Sequence, residues 1–218
     1  GSRKDIHIKE MLMNDSSIFD EWNKINNIPS KEDIQRMYND FIPMQLECIS
    51  EYSTLFPNIP ETLHKIQSNN IKIGLTTGFP KVISRILQDE AIKQEVIFDS
   101  VVAGDEVQNG NRPSPHMLFK NLDNMNICNV KSVVKVDDTV SGIKEGQNAG
   151  CWTVGVSRYS NYMDIDSLDH ENELTEDDIN RRNVYSKEIL ENAGADYVID
   201  SIEDLPDIID QINERMCQ

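Results

Sequence analysis

Long apolar runs are missing from this 218-residue chain: no stretch approaches the roughly 20 consecutive apolar residues that a membrane-crossing helix needs, and none has the form of a secretory segment. The expectation is a soluble, cytoplasmic protein. Basic residues are also short. Lysine and arginine number 21 against 38 aspartates and glutamates, a formal net charge of −17, and such a field repels polyanions. Nucleic acid and membrane surface are therefore not expected as partners, and an anionic substrate has to be met by local cations. Cysteine is scarce. Cys48, Cys128, Cys151 and Cys217 show neither metal-ligand pairing nor a disulfide framework, which fits a reducing compartment. No internal repeat or low-complexity segment interrupts the chain, and its 38% hydrophobic content suffices for one good core and a small second unit.

What is present divides into two parts. Ile18, Phe19, Trp22 and Ile25 recur at helical spacing, and Ser30 with Asp33 forms a capping-box variant ahead of Ile34, Met37, Tyr38 and Phe41. Residues 1–54 read as helices only, with Pro43 expected to bend or end the second long helix. Phe56, Pro57 and Pro60 punctuate the change to residues 55–218. There, strands near 71–76, 99–103, 133–137, 152–156 and 196–199 alternate with helices near 61–69, 82–92, 115–124, 141–149, 176–193 and 204–216. That alternation predicts an α/β fold, a mostly parallel sheet with helices on both faces. The acidic run from Asp164 to Asp178 reads as a solvated loop and helix start.

Three strand ends carry groups suited to phosphoryl chemistry. Val133 to Val156, VVKVDDTVSGIKEGQNAGCWTVGV, reads as strand, loop, helix and strand, with Asp137 and Asp138 where open α/β sheets place their chemistry. Two carboxylates there suit Mg2+, which keeps several waters and takes only one or two carboxylates from a protein. An isolated aspartate pair can equally cap the following helix. KIGLTTGFP closes a second strand on Thr76, Thr77 and Gly78, a hydroxyl and glycine-freed N–H groups of the kind that bind phosphate. NRPSP holds Arg112 in a proline-flanked loop, where its guanidinium can neutralise a phosphoryl group. Singly, Thr77 reads as a turn former and Arg112 as a surface charge. The ordered series of hydroxyl, cation and acidic pair is harder to obtain by accident.

With these segments the chain resembles the haloacid dehalogenase superfamily of phosphotransferases, and within it the phosphonoacetaldehyde hydrolase (phosphonatase) family. The likeness runs through Lys4-Asp-Ile-His7, EWNKINNIPSKEDIQRMYNDF, KIGLTTGFP, NRPSP, VKVDDTVSGIKEGQNAGCWTVGV and ENAGADYVIDSIEDL. It implies that residues 1–54 are part of a helical cap domain and residues 55–218 a Rossmann-like hydrolase core. It also implies a homodimer, a small anionic phosphonate substrate and Mg2+. The family's core starts with a strand ending in a nucleophilic aspartate that precedes the cap. No such segment precedes Lys4, so this N-terminal core strand is expected to be missing from the chain.

By the resemblance, Lys4 condenses with the substrate aldehyde and His7 orients or deprotonates its amine, while an aspartate outside this sequence attacks phosphorus. Thr77, Gly78 and Arg112 would meet the phosphate, and Asp138, assisted by Asp137, the Mg2+. Apart from the family, Lys4 and His7 read as solvent-facing residues near a chain end. Three departures from the family pattern stand out. Phe79 replaces a tyrosine, Asn111 lengthens the loop before Arg112, and Gly142 stands where many members place a second acidic residue, with Asp137 replacing a frequent glycine. Two other functions stay open: a phosphate monoesterase of the same superfamily, and a noncatalytic relative that lacks the nucleophile.

Overall fold

The computed structural model describes residues 3–217. Its first part is three helices, α1 (Lys4–Asn14), α2 (Ser16–Ile25) and α3 (Lys31–Cys48). Each boundary has a local cause. The Asp15 carboxylate accepts the N–H groups of Ser17 and Ile18 and starts α2, and Ser30 with Asp33 forms the expected reciprocal capping box of α3. Expected to bend or end this helix, Pro43 does not end it, since α3 runs through it to Cys48. Proline removes the donor for the carbonyl of Asn39, but Asn39 is exposed, so that carbonyl is open to solvent and the helix can continue.

Residues 53–55 lead into the second part and are stitched to it by Gln94, whose side chain accepts from Leu55 N and donates to Ser53 O, each at 2.9 Å. Five strands follow: β1 (Gly74–Thr77), β2 (Ser100–Ala103), β3 (Val134–Asp137), β4 (Trp152–Val156) and β5 (Tyr197–Ile199). Between and after them run α4 (Ile59–Ser68), α5 (Lys81–Lys93), α6 (His116–Asn124), α7 (Val140–Ala149), α8 (Leu168–Glu173), α9 (Glu176–Asn192) and α10 (Leu205–Met216). All pairings are parallel, as the alternation predicts. The single expected sheet is instead two among the described residues, β1–β2 and β3–β4–β5. β1 and β3 share no ladder, and side chains fill the seam between them.

Strand alternation decides which side chains reach that seam. Val134 and Val136 turn to a core with Ile66, Val154, Ile199 and Leu205. Lys135 and Asp137 turn the other way, beneath α7. The helix lies close there because Gly146 has no side chain: a Cβ on it would stand 2.8 Å from Cβ of Lys135. A second core of Leu118, Leu122, Met125 and Ala149 packs α6 against α7. Burying each such leucine contributes about 1.5–3 kcal/mol, and together these contacts hold the carboxyl ends of β1 and β3 side by side.

Candidate active site

Lys4 is the first residue of α1. Its amine lies 5.8 Å from the ring centre of Phe41 on α3 and 5.7 Å from that of Phe79, just after β1. These distances are within the range of cation–π attraction. Lys4 also lines an open cleft of about 440 Å3 with Tyr38, Gly78 and Asp105, between the helical part and the β1 end. At that end the Thr77 hydroxyl accepts from Phe79 N at 3.1 Å, closing the turn. Arg3 anchors the start of α1, its backbone N–H donating to Asn111 Oδ1 at 3.0 Å and its guanidinium pairing with Asp5 at 2.6 Å. His7 follows one turn later, exposed and outside the cleft lining.

Beneath the strand ends lies a buried group of charges. Arg112 is only 6% exposed, so it is not the surface charge it suggests when read alone. Its Nε donates to Glu145 Oε2 at 2.8 Å and its Nη2 to the Thr76 carbonyl and hydroxyl at 2.8 and 2.6 Å. Lys135 Nζ lies 3.0 Å from the same Glu145 oxygen, 3.1 Å from Asp137 Oδ2 and 3.0 Å from Thr76 Oγ1. Two cations thus face two carboxylates across the β1–β3 seam. Burial raises the Asp137 pKa, but the charges of Lys135 and Arg112, with the Thr139 hydrogen bond, outweigh it and hold the carboxyl at about 2. Asp137 Oδ1 accepts the N–H and the hydroxyl of Thr139 at 3.0 and 2.7 Å.

Asp138 has a different environment. Burial and then the neighbouring Asp137 charge push its carboxyl above the usual range, so its charged form lacks the compensation that Asp137 has. A cation at Asp138 would supply that compensation. No group of three or more His, Cys, Asp or Glu side chains gathers to hold a metal among the described residues. The donor set fits a hydrated Mg2+ with a carboxylate from Asp138, while the oxygens of Asp137 are engaged with Thr139 and Lys135. Asp138 directly precedes Thr139, the N-cap of α7, whose first N–H, on Val140, donates to the Tyr162 hydroxyl at 3.1 Å.

The fold therefore gathers six of the seven sequence candidates in two clusters and leaves His7 outside both. Lys4 and Gly78 share the cleft, with Thr77 in the turn beside it, and Arg112 and Asp137 share the buried group, with Asp138 next in the chain. Lys135, Glu145 and Tyr162 are additions that sequence reasoning missed. A signal for two of them was present: Lys135 alternates with Val134 and Val136, and Glu145 lies on the helix face of Gly142, Gly146 and Ala149, all buried.

Comparison with known proteins identifies the family. The family profile described as haloacid dehalogenase-like hydrolase matches residues 7–156. The phosphonoacetaldehyde hydrolase of Bordetella pertussis is 35% identical over 96% of this chain and 75% of its own. The bifunctional phosphonoacetaldehyde hydrolase/aminoethylphosphonate transaminase of Clostridioides difficile is 36% identical over 99% of this chain, which spans only 34% of that longer protein. A crystal structure of a phosphonoacetaldehyde hydrolase-like protein from Oleispira antarctica superposes with a TM-score of 0.94 at 35% identity, covering 99% of this chain and 77% of that one. In sequence and in fold, the chain belongs to the haloacid dehalogenase-like hydrolases, on their phosphonoacetaldehyde hydrolase branch.

Proposed function

We propose that this chain serves hydrolysis of the C–P bond of phosphonoacetaldehyde to acetaldehyde and phosphate, with residues 1–54 as a cap over a Rossmann-like core of residues 55–218. One observation carries the reading: the Lys4 amine lies within cation–π range of both Phe41 and Phe79, and Lys4 lines the same cleft as Gly78.

An amine at that place answers the difficulty of the reaction. When phosphorus leaves carbon, the bonding electron pair stays on carbon, and a neutral aldehyde accepts it poorly. Condensation of the Lys4 amine with the aldehyde expels water and gives an iminium ion, and loss of the phosphoryl group turns it into an enamine. Protonation at carbon and addition of water then release acetaldehyde and restore the amine. The faces of Phe41 and Phe79 favour the cationic forms along this path. His7, one turn along α1, is the proton carrier for the amine.

The Thr77 hydroxyl and the N–H groups around Gly78 meet the phosphoryl oxygens, and Arg112 with Lys135 supplies positive potential from beneath. Mg2+, held by Asp138 with Asp137 behind it, supplies neutralisation of phosphoryl charge when bound. By the resemblance, an aspartate on a strand preceding the cap attacks phosphorus and takes the phosphoryl group as an aspartyl phosphate, which water then hydrolyses to phosphate. By the same resemblance the protein is homodimeric, and the exposed Ile25, Ile28 and Met44 provide apolar surface for a second copy. No helix among the described residues is long and apolar enough to cross a membrane.

The test is borohydride trapping. Incubated with phosphonoacetaldehyde and borohydride, then digested and weighed by mass spectrometry, the chain is expected to carry a reduced adduct on Lys4. Lys4→Arg keeps the charge but forms no iminium, and should carry none. Absence of an adduct on wild-type Lys4 would overturn the reading in favour of a phosphate monoesterase.

A further inference from the structure

The two aspartates at the end of β3 have the same local option. A short carboxylate can turn onto its own chain and accept the N–H two residues ahead, the Asx-turn that makes aspartate a turn and cap former. Asp137 takes it, its Oδ1 accepting from Thr139 N at 3.0 Å. The equivalent donor for Asp138 is the N–H of Val140, the first residue of α7. That donor is already engaged: it goes to the Tyr162 hydroxyl at 3.1 Å, 22 residues further along the chain. Among the described residues, no hydrogen bond from another residue reaches the Asp138 carboxylate.

Tyr162 is firmly held. It sits in a single turn of 3-10 helix, Asn161–Met163, which ends at Asp164 with φ +54°, a conformation aspartate adopts more readily than most residues. Met163 is buried, and α9 supplies polar anchors for the whole segment 157–164. Arg182 Nη1 donates to the carbonyls of Met163 and Asp164 at 2.8 and 2.7 Å. Ser186, fully buried, donates to Ser157 O at 2.9 Å and accepts from the Ser160 hydroxyl at 2.6 Å. Positions 182 and 186 are one turn apart, so a single face of α9 fastens both ends of the segment that carries Tyr162.

We infer that Tyr162 is a positioning residue for Asp138: by holding the Val140 N–H, its hydroxyl denies Asp138 an Asx-turn and leaves that carboxylate free for a ligand. Two neighbouring aspartates thereby receive different tasks. Asp137 is committed to the backbone and to Lys135, whereas Asp138 is kept off the helix start by a residue from another loop. That the ligand is a divalent cation rests on the Mg2+ reading above.

The experiment compares the full chain with Tyr162→Phe, which keeps the ring and loses the acceptor, with Asp138→Ala, and with the double variant. Titration calorimetry measures affinity for Mg2+ alone, melts in EDTA give Tm, and amide hydrogen exchange by NMR follows Val140. Tyr162→Phe is expected to bind Mg2+ roughly 10- to 100-fold more weakly, the usual effect of losing a group that orients a ligand. Its Tm in EDTA and its Val140 protection should stay near wild type, because Asp138 takes over the vacated N–H. Asp138→Ala should cost no Tm by itself, but about 2–4 °C on the Tyr162→Phe background, where no acceptor remains for Val140. Arg182→Met, which leaves Tyr162 itself intact, should show a smaller loss of Mg2+ affinity of the same kind. Wild-type Mg2+ affinity in Tyr162→Phe, or an equal effect of Asp138→Ala on Tm in both backgrounds, overturns the inference. If wild type itself binds no Mg2+, the metal reading falls, and the Tm coupling in EDTA still decides whether Tyr162 holds Asp138 off the helix.

Discussion

The backbone N–H of Arg3 donates to the Asn111 side chain at 3.0 Å, so the residue before Lys4 is tied to the residue before Arg112 across 108 positions of sequence. This one side chain fastens the loop before Arg112 to the helical part.

Asn111→Ala should therefore loosen Lys4 without unfolding the core. One hydrogen bond contributes about 0.5–1.5 kcal/mol, which corresponds to a roughly 2- to 10-fold loss in apparent affinity for the aldehyde. The concentration dependence of borohydride trapping on Lys4 measures it. Unchanged half-saturation would show that the contact does not position the amine.

Glu145 has no exposed surface and one carboxylate oxygen shared by Arg112 and Lys135. Glu145→Ala removes the carboxylate that pairs with both cations at once and should cost about 3–5 kcal/mol of stability, as breaking buried pairs does. Urea unfolding reads this directly. A loss near zero would mean that water enters the seam and replaces the carboxylate.

Asp138→Ala should abolish most Mg2+ binding. Because burial next to Asp137 disfavours the charged Asp138, the same change should leave Tm in chelator equal to or above that of wild type. Thermal melts with EDTA and with Mg2+ separate the two effects. Wild-type affinity for Mg2+ in this variant would remove Asp138 from the site.

Cys151 should be the slowest thiol to alkylate. Burial pushes its pKa up to about 11, whereas Cys48, Cys128 and Cys217 are exposed. A raised pKa keeps the group protonated, so at pH 8 roughly one Cys151 thiol in a thousand is the reactive thiolate. Peptide mapping after brief iodoacetamide treatment should find the other three modified first, and Cys151 labelling should rise as pH climbs towards its pKa.

Much of this was legible in the chain before its fold was seen. Strand–helix alternation placed every strand within a few residues, because apolar periodicity and turn residues report local geometry. Pairing is not local. Parallel strands are joined through long crossovers, so nothing within KIGLTTG or VVKVDD says that β1 and β3 share no ladder. The buried charges were hidden for the same reason. Arg112 and Glu145 meet across 33 residues, and a charged residue read singly belongs on the surface until its partner is known. Pro43 does not end α3 because proline's effect on a helix depends on whether water can reach the carbonyl it abandons.

The rings that flank Lys4 come from two different places, Phe41 from α3 and Phe79 from the turn after β1. Neither part holds the amine between π faces on its own. A displacement of the helices from the strand ends would take one of these two contacts from the nitrogen. The surroundings of the Lys4 amine are therefore set by how the two parts meet, and any residue that tunes their contact tunes the amine as well.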